Sequence, residues 1–219
     1  RADTECDCRN NDQDEGRGVV TFAEDGPLVA RIGLSLISVE QARANLRNEV
    51  GKRSYRSVLR IAREKWASQF DKVRIKASEE VKTIFYTALY HSLLYPRKID
   101  EYGRYYSAFD DAVHNGVMYN CWSMWDTYRA EHPLLTLVAP EHIDDMMQSL
   151  VEMFNEGGWL PKWPNPSYTG IMVGSPAETI LAEAWTKGFR GFDVEQAYAA
   201  VRKNATLPQV GDRDNQWPD

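Results

Sequence analysis

The chain has 219 residues, of which 43% are hydrophobic and 11% aromatic, enough apolar material for a packed core. Its formal net charge is −6, and its 26 Lys and Arg residues are scattered among 32 Asp and Glu residues. This pattern argues against a basic stripe for nucleic acid and a polybasic membrane anchor, and no apolar run approaches the roughly 20 residues that span a bilayer. We therefore expect a globular protein whose partners include neither nucleic acid nor a membrane.

The N-terminal segment predicts strands. Apolar residues alternate with a period of two from Gly18 to Ile37, and Asp25-Gly26-Pro27 indicates a hairpin turn. Two strands alone cannot bury a face, so we expect them to belong to a larger sheet whose other strands lie upstream. By this interpretation the chain is a fragment of a longer protein.

Helices follow the strands. Ser38-Val39-Glu40-Gln41 is a capping-box pattern that begins a helical region, broken near Gly51 and ending near Trp66. A second strong helix begins after Ser78 and ends before Pro96. Its predicted apolar stripe is Val81, Ile84, Phe85, Ala88, Leu89 and Ser92. Residues 97–125 look irregular, with short strands expected at 105–109 and 113–119.

Three more helices are predicted towards the C-terminus. One begins with Pro140 and ends at Gly157, one begins with Ser175-Pro176 in a second capping box, and one follows Asp193. Their predicted inward-facing residues are Ile143, Met146, Met147, Leu150, Val151 and Phe154; Ile180, Leu181, Ala184 and Trp185; and Val194, Ala197, Tyr198 and Val201. In a simple bundle the connections are about two to eight residues long, so the long aromatic loops here favour a helical toroid with a site at one mouth.

The segment from Tyr119 to Gly174 has the composition of a sugar-binding cleft. It contains four tryptophans and the run Trp125-Asp126-Thr127-Tyr128-Arg129. Pyranose C–H faces stack on aromatic rings, while the sugar hydroxyls bond to carboxylate and guanidinium groups. For any single tryptophan, packing in the core is an equally good interpretation. Trp159 and Trp163 favour a site, because they flank Leu160-Pro161-Lys162 in a loop rich in glycine and proline.

Six runs together resemble glycoside hydrolase family 92, the calcium-dependent exo-acting α-mannosidases. The runs are Ser38-Val39-Glu40-Gln41-Ala42, Phe85-Tyr86-Thr87-Ala88-Leu89-Tyr90-His91, Trp125-Asp126-Thr127-Tyr128-Arg129, His132-Pro133-Leu134, Gly157-Gly158-Trp159-Leu160-Pro161-Lys162-Trp163 and Lys187-Gly188-Phe189-Arg190-Gly191-Phe192-Asp193. Their order and spacing over residues 28–200 is more specific than any one run. A lone Trp-Asp-Thr is also similar to trehalases and other toroidal glucosidases.

The resemblance implies a fold that is mostly α with N-terminal β. Residues 1–37 would be the C-terminal strands of a β-sandwich, residues 38–77 a helical linker, and residues 78–219 the N-terminal part of an incomplete (α/α)6 catalytic toroid. The implied activity is hydrolysis, with inversion, of terminal α-linked mannose, in particular α-1,2-linked mannose. The implied substrate is a mannose-containing oligosaccharide or N-glycan. The implied protein is secreted, extracellular or periplasmic.

The resemblance also implies which residues bind the sugar. Asp126 matches the aspartate that bonds the mannose hydroxyls, Trp125 would wall the pocket, and Arg129, Lys162 and Trp163 would form its rim or support, with Arg129 also able to hold Asp126 as an ion pair. The family motifs that carry the catalytic acid and base do not occur in this chain. Those groups and the ligands of the implied calcium ion would therefore come from the remainder of the same protein.

Other candidates are weaker. Asp110, Asp111 and His114 lie in a polar loop, where adjacent carboxylates are usually solvated, so no metal ligand is assigned in this chain. Cys6 and Cys8 are poor evidence for zinc without a second cluster of ligands. Two further functions stay open beside the mannosidase: another toroidal glycosidase acting on trehalose or oligoglucosides, and a non-catalytic sugar-binding fragment.

Overall fold

The structure is a computed structural model that describes residues 29–207. The chain divides into two compact units, residues 1–32 and residues 33–219. The elements below belong to the second unit. The predicted hairpin turn at Asp25-Gly26-Pro27 and the polar tail after residue 207 lie outside the described residues.

Within residues 29–207 the chain is mostly helical, with a few short strands, as predicted. In chain order the elements are α1 (Val39–Glu49), α2 (Tyr55–Phe70), α3 (Glu79–Ser92), β1 (Arg97–Lys98), β2 (Arg104–Ser107), β3 (Ala112–Asn115), β4 (Tyr119–Asn120), α4 (Met124–Thr127), α5 (Glu131–Val138), α6 (Ile143–Gly157), α7 (Pro176–Thr186) and α8 (Val194–Thr206). A 3-10 turn, Pro140–His142, leads into α6. None of the helices in this part of the chain is long and apolar enough to cross a bilayer.

Several helix starts follow the capping signals. The side chains of Ser38, Ser78 and Asp193 each accept a hydrogen bond from the backbone N–H three residues on, which satisfies a donor that the first turn leaves unpaired. The predicted break near Gly51 is confirmed, since α1 ends at Glu49 and Gly51 has a φ of +52°.

The capping box predicted at Ser175 is wrong. Ser175 precedes α7, but its side chain forms no capping hydrogen bond, because its backbone (φ −130°, ψ 63°) lies outside the extended region from which a cap reaches the helix.

The strand predicted up to Ile37 is absent from residues 29–37. The backbone of this segment bonds to side chains and not to a neighbouring strand. The Asn45 amide donates to the Leu34 carbonyl (2.8 Å), and the Leu36 N–H donates to Glu101 Oε1 (2.8 Å). The alternating apolar residues Ile32, Leu34 and Leu36 of the predicted strand face are between half and four-fifths exposed.

Two antiparallel pairs lie between α3 and α4. In the β2–β3 pair, Arg104 lies opposite Asn115 and Ser107 lies opposite Ala112. Strand β1 pairs with β4. The two short strands predicted in this stretch are confirmed in kind, although each is shorter than expected. The sequence analysis did not predict helices α4 and α5.

The core is built around α6, which buries five of its six predicted inward-facing residues, while the sixth, Phe154, is partly buried against the core. Against it pack apolar residues of α5, α7, α8 and the strand region. The fully buried large side chains are Trp122, Tyr105, Met118, Met124, Leu135, Met147, Leu150, Met153, Leu160, Val151 and Pro161. Gly158 ends the helix in the left-handed region (φ 88°), as expected from the Gly157-Gly158 pair.

Parts of the other predicted stripes are not buried. Leu89 is buried in α3, but Val81 and Ile84 are 49% and 64% exposed. Tyr198 of α8 and Trp185 of α7 are also exposed. The burial prediction is wrong for these four and for Ala88, which is also exposed, because an apolar stripe is buried only where another element packs on it. Over the Trp185 ring lies the guanidinium of Arg190, 3.4 Å from the ring centre.

Candidate functional site

The four tryptophans between residues 119 and 174 separate into two pairs. Trp122 is 1% exposed, donates its Nε1–H to the Tyr119 carbonyl (2.8 Å) and stacks on the ring of His132. Trp159 is 6% exposed and has the Lys203 ammonium 4.4 Å from its ring. Both belong to the core, so the packing interpretation holds for this pair.

The other pair, Trp125 and Trp163, is half-buried and linked through polar groups. Trp163 Nε1–H donates to Ser123 Oγ (2.7 Å), and Ser123 Oγ–H donates to Asp126 Oδ2 (2.6 Å). Among the described residues no other group bonds to this carboxylate, which is exposed to solvent. Asp126 therefore keeps its remaining lone pairs available for hydroxyl donors.

The turn at α4 sets the direction of these side chains. The Ser123 carbonyl accepts from the N–H groups of Asp126 (2.9 Å) and Thr127 (3.0 Å), and from the Thr127 hydroxyl (3.0 Å). Met124 is fully buried and anchors the same turn. One short, well-anchored turn thus presents Trp125 and Asp126 from consecutive positions.

Arg129 packs on aromatic rings instead of pairing with Asp126. Its guanidinium lies 4.8 Å from the centre of the Trp125 ring and 5.1 Å from that of Tyr128. The alternative in which Arg129 holds Asp126 as an ion pair is therefore wrong in this structure. The guanidinium instead packs against the Trp125 indole.

An open pocket of about 250 Å³ adjoins Trp125. It is lined by Trp125, Tyr128, Val173, Gly174, Ser175, Pro176 and Thr179. The segment that precedes α7 thus faces the turn that carries Asp126, although 47 positions separate Tyr128 from Ser175 in the chain.

Lys162 is linked to the same region through Glu178 of α7. Both oxygens of the Glu178 carboxylate are buried and form no hydrogen bond of good geometry in the described part of the chain. Burial raises the pKa of Glu178, while Asn204, Ser175 and the charge of Lys162 act in the opposite direction. Sequence reasoning assigned Glu178 only to a helix cap, and nothing in its local sequence marks it as buried.

Glu131 and His132 were also missed as a polar pair. Burial raises the pKa of Glu131 to about 7 and lowers the pKa of His132 to about 4, so both groups are held towards their neutral forms. Glu131 Oε1 is buried and has no hydrogen-bond partner among the described residues. The sequence feature that could have identified them is a pair of ionisable residues directly before Pro133 and the apolar run that follows it.

A second polar cluster lies between the β2–β3 hairpin and the end of α6. His114 Nε2 is 2.9 Å from Asp110 Oδ2 and 3.9 Å from Glu156 Oε1. Glu156 also accepts hydrogen bonds from the hydroxyls of Tyr105 and Ser107. The sequence marked Asp110 and His114 only as weak candidates in a polar loop, and it offered no link to Glu156, which is 42 positions from His114.

Comparisons with known proteins point to one family. The model of the glycosyl hydrolase family 92 catalytic domain matches residues 41–218. None of the curated proteins matches this chain.

Solved structures are similar to the chain over most of its length. The inverting family 92 mannosidase BT2199 of Bacteroides thetaiotaomicron is 36% identical, with a TM-score of 0.77 over 80% of this chain. The family 92 α-mannosidase BT3965 of the same organism is 29% identical, with a TM-score of 0.75 over 80% of this chain, and it has also been solved in complex with mannoimidazole. The chain covers 25% and 24% of these two proteins, about a quarter of their length.

Proposed function

Because the chain belongs to glycosyl hydrolase family 92, we propose that it supplies part of the terminal-sugar subsite of an inverting, calcium-dependent exo-α-mannosidase. The proposed substrate is terminal α-1,2-linked mannose on an oligosaccharide or N-glycan. The observation that carries the proposal is the hydrogen-bonded series Trp163–Ser123–Asp126, which joins two sequence runs 40 positions apart around one exposed carboxylate.

Asp126 is the principal sugar ligand in this proposal. Its Oδ2 is fixed by the Ser123 hydroxyl, and its remaining acceptor positions suit two neighbouring sugar hydroxyls. A ligand group held in place before binding loses little conformational entropy when the sugar arrives.

Trp125 and Arg129 form one wall of the subsite. The guanidinium covers part of the Trp125 indole and limits its rotation, and the rest of the ring provides an apolar surface for sugar C–H groups. Trp163 supports the subsite through Ser123. Lys162 lies at its rim, where its charge favours the ionised form of Glu178.

The catalytic acid and base are assigned to the rest of the parent protein. An inverting glycosidase needs two carboxyl groups roughly 6.5–9.5 Å apart, one to protonate the leaving oxygen and one to activate a water on the opposite face. The family motifs for these groups are missing from this sequence. The role of this chain in the mechanism is therefore to bind and orient the terminal sugar.

The proposed calcium ion does not fit the ligands found here. Calcium takes about six to eight oxygen ligands, whereas the cluster of potential metal ligands among residues 29–207 is Asp110, His114 and Glu156, which includes an imidazole. We therefore assign the calcium ligands to the remainder of the parent. The proposed arrangement, in which residues 1–37 belong to a β-sandwich domain, 38–77 to a helical linker and 78–219 to an incomplete toroid, is the family's, although residues 29–37 form no strand here. The proposed secreted, extracellular or periplasmic location also comes from the family.

Sugar release by the intact parent protein tests the proposal. The parent is incubated with α-1,2-linked mannobiose and, separately, with trehalose, in calcium, in EDTA and after calcium is restored. We expect mannose release that EDTA abolishes and calcium restores, and no release of glucose. Glucose release that is insensitive to EDTA would favour the toroidal glucosidase instead.

The third function, a non-catalytic sugar-binding fragment, is distinguished by the isolated chain. If the parent is active, we expect the isolated chain to bind mannose weakly and to release none, because it is only part of a catalytic domain. An inactive parent would contradict the mannosidase proposal.

A further inference from the structure

We propose that Asp110, His114 and Glu156 form a binding site for a first-row divalent transition metal, with zinc as the representative ion. The three residues offer one imidazole nitrogen and two carboxylate oxygens, and these atoms all lie within 4.8 Å of one another. This site is separate from the sugar subsite and does not depend on the proposed mannosidase activity.

The distances are close to those of a bound ion. Zinc bonds nitrogen and oxygen at about 2.0–2.2 Å, so tetrahedral ligand atoms lie roughly 3.3 Å apart. The distance from His114 Nε2 is 2.9 Å to Asp110 Oδ2 and 3.9 Å to Glu156 Oε1. All three atoms lie within 4.8 Å of one another, so the two carboxylates would move closer together around a bound ion.

Glu156 is the built part of the site, because its side chain is only 5% exposed while those of Asp110 and His114 are about a third exposed. The Tyr105 hydroxyl donates to Glu156 Oε1 (2.5 Å) and the Ser107 hydroxyl to Oε2 (2.6 Å). Each carboxylate oxygen has two acceptor positions, so these bonds orient the group and leave a position on Oε1 for a metal. The open side of the cluster, at Asp110 and His114, is the route by which an ion enters.

The surroundings also favour a cation. The carboxylates of Asp110 and Glu156 both lie close to the imidazole of His114, at 2.9 and 3.9 Å from its Nε2. A divalent ion between the two carboxylates would stabilise both in the ionised form. The imidazole selects transition metals over calcium and magnesium, which prefer oxygen ligands.

The site joins two parts of the fold. Asp110 and His114 belong to the β2–β3 hairpin, and Glu156 is on the last turn of α6, directly before the loop that carries Lys162 and Trp163. Phe109 of the hairpin packs edge to face on Tyr168 of that loop, with ring centres 4.8 Å apart. A bound ion would therefore clamp the hairpin, the end of α6 and the start of the loop together, which is a structural role.

Calorimetric titration of the 219-residue chain with zinc chloride tests the site. Every sample carries Cys6→Ser and Cys8→Ser to remove competing thiolates, and metal is first removed with EDTA and dialysis. We expect one zinc ion per chain, unaffected by an equal concentration of calcium chloride. We expect His114→Gln to weaken binding by at least about tenfold.

His142→Gln is the matched control. His142 is a partly exposed histidine 3.7 Å from the Glu141 carboxylate, but it does not belong to a group of three ligands among the described residues. Its substitution should leave zinc binding unchanged. Asp110→Asn is a second test should His114→Gln fail to fold, because its side chain is near the surface, and it should also weaken binding by at least tenfold.

A thermal unfolding series gives an independent readout. Zinc should raise the unfolding temperature of the chain and of the His142→Gln variant, but not that of His114→Gln or Asp110→Asn, because an ion that binds only the folded state stabilises it. The proposal is overturned if zinc does not bind stoichiometrically, or if the His114 and Asp110 variants bind zinc as tightly as the parent chain.

Discussion

The tryptophans of the core and those of the candidate site differ in what each indole contacts, although all four lie in one 56-residue stretch. The N–H of Trp122 is bonded to a backbone carbonyl in the interior, whereas the N–H of Trp163 is bonded to a side-chain hydroxyl that continues to an exposed carboxylate. Lys203 lies over Trp159 and Arg129 over Trp125, and Trp125 lines an open pocket. Composition alone does not identify a sugar platform; the partner of each ring does.

The largest expected effect separates the two pairs by stability. Trp122→Ala should lower the free energy of unfolding of the chain by about 3–5 kcal/mol, since it removes a fully buried ring. Trp125→Ala should lower it by about 1 kcal/mol or less, because that ring is half-buried. Urea unfolding of both variants checks this, and equal losses of stability would remove the distinction.

The activity of the intact parent should also distinguish the candidate site from the core. Ser123→Ala breaks the link between Trp163 and Asp126, and we expect a loss of about tenfold in kcat/KM of the intact parent, the value of one well-placed hydrogen bond. Thr136→Ala is a suitable control, since its hydroxyl donates only to the nearby Pro133 carbonyl and accepts from Lys187. A Ser123 variant with the activity of the Thr136 variant would mean that the link does not support the site.

A third effect, similar in size, concerns the pH dependence of stability in the core. The pKa of Glu131 is raised to about 7 in the folded state against an ordinary value of 4.5, so between pH 4.5 and 7 the unfolded chain ionises this group first, and stability falls as pH rises. Glu131→Gln removes this dependence. Its stability relative to the unsubstituted chain should increase from pH 4.5 to 7 by roughly 1–2 kcal/mol, reduced for partial exposure of the residue.

His132 acts in the opposite direction in nearly the same range, and it is present in both proteins of that comparison. Its pKa is lowered to about 4 from 6.5, so its contribution to stability is lost as pH falls below 6.5. Urea unfolding at several pH values therefore isolates the Glu131 contribution as a difference. A difference that stays constant with pH would mean that Glu131 is not held neutral.

The sequence predicted the elements better than the packing. The helix starts at Ser38, Ser78 and Asp193 were predicted correctly, and each of these residues caps its helix, because capping depends on residues within one turn. Burial depends on what covers a face, which explains why Ile84 and Tyr198 were expected inside and lie outside. The strand predicted up to Ile37 also needed a partner strand, which the described residues do not supply.

The candidate site was predicted in part. Trp125, Asp126 and Arg129 are close in sequence, and a local turn brings them to one place. The links to Trp163 and to the pocket residues of 173–179 depend on tertiary contacts across about 40 residues or more, which no local pattern records. From the sequence, core packing and sugar binding were equally good interpretations for Trp122 and for Trp125. The two residues are only three positions apart, but Trp122 lies in the core and Trp125 lies at the candidate site.

Mannose release by the intact parent protein with Asp126→Ala tests the central claim most directly. Because the exposed carboxylate is the principal sugar ligand in this account, we expect kcat/KM on α-1,2-linked mannobiose to fall by about 10²–10³-fold, with an unchanged unfolding temperature. Glu64→Ala, which removes an exposed carboxylate paired with Arg60 on α2, should leave kcat/KM unchanged. Near-normal mannose release by the Asp126 variant would contradict the assignment of this turn to the sugar subsite.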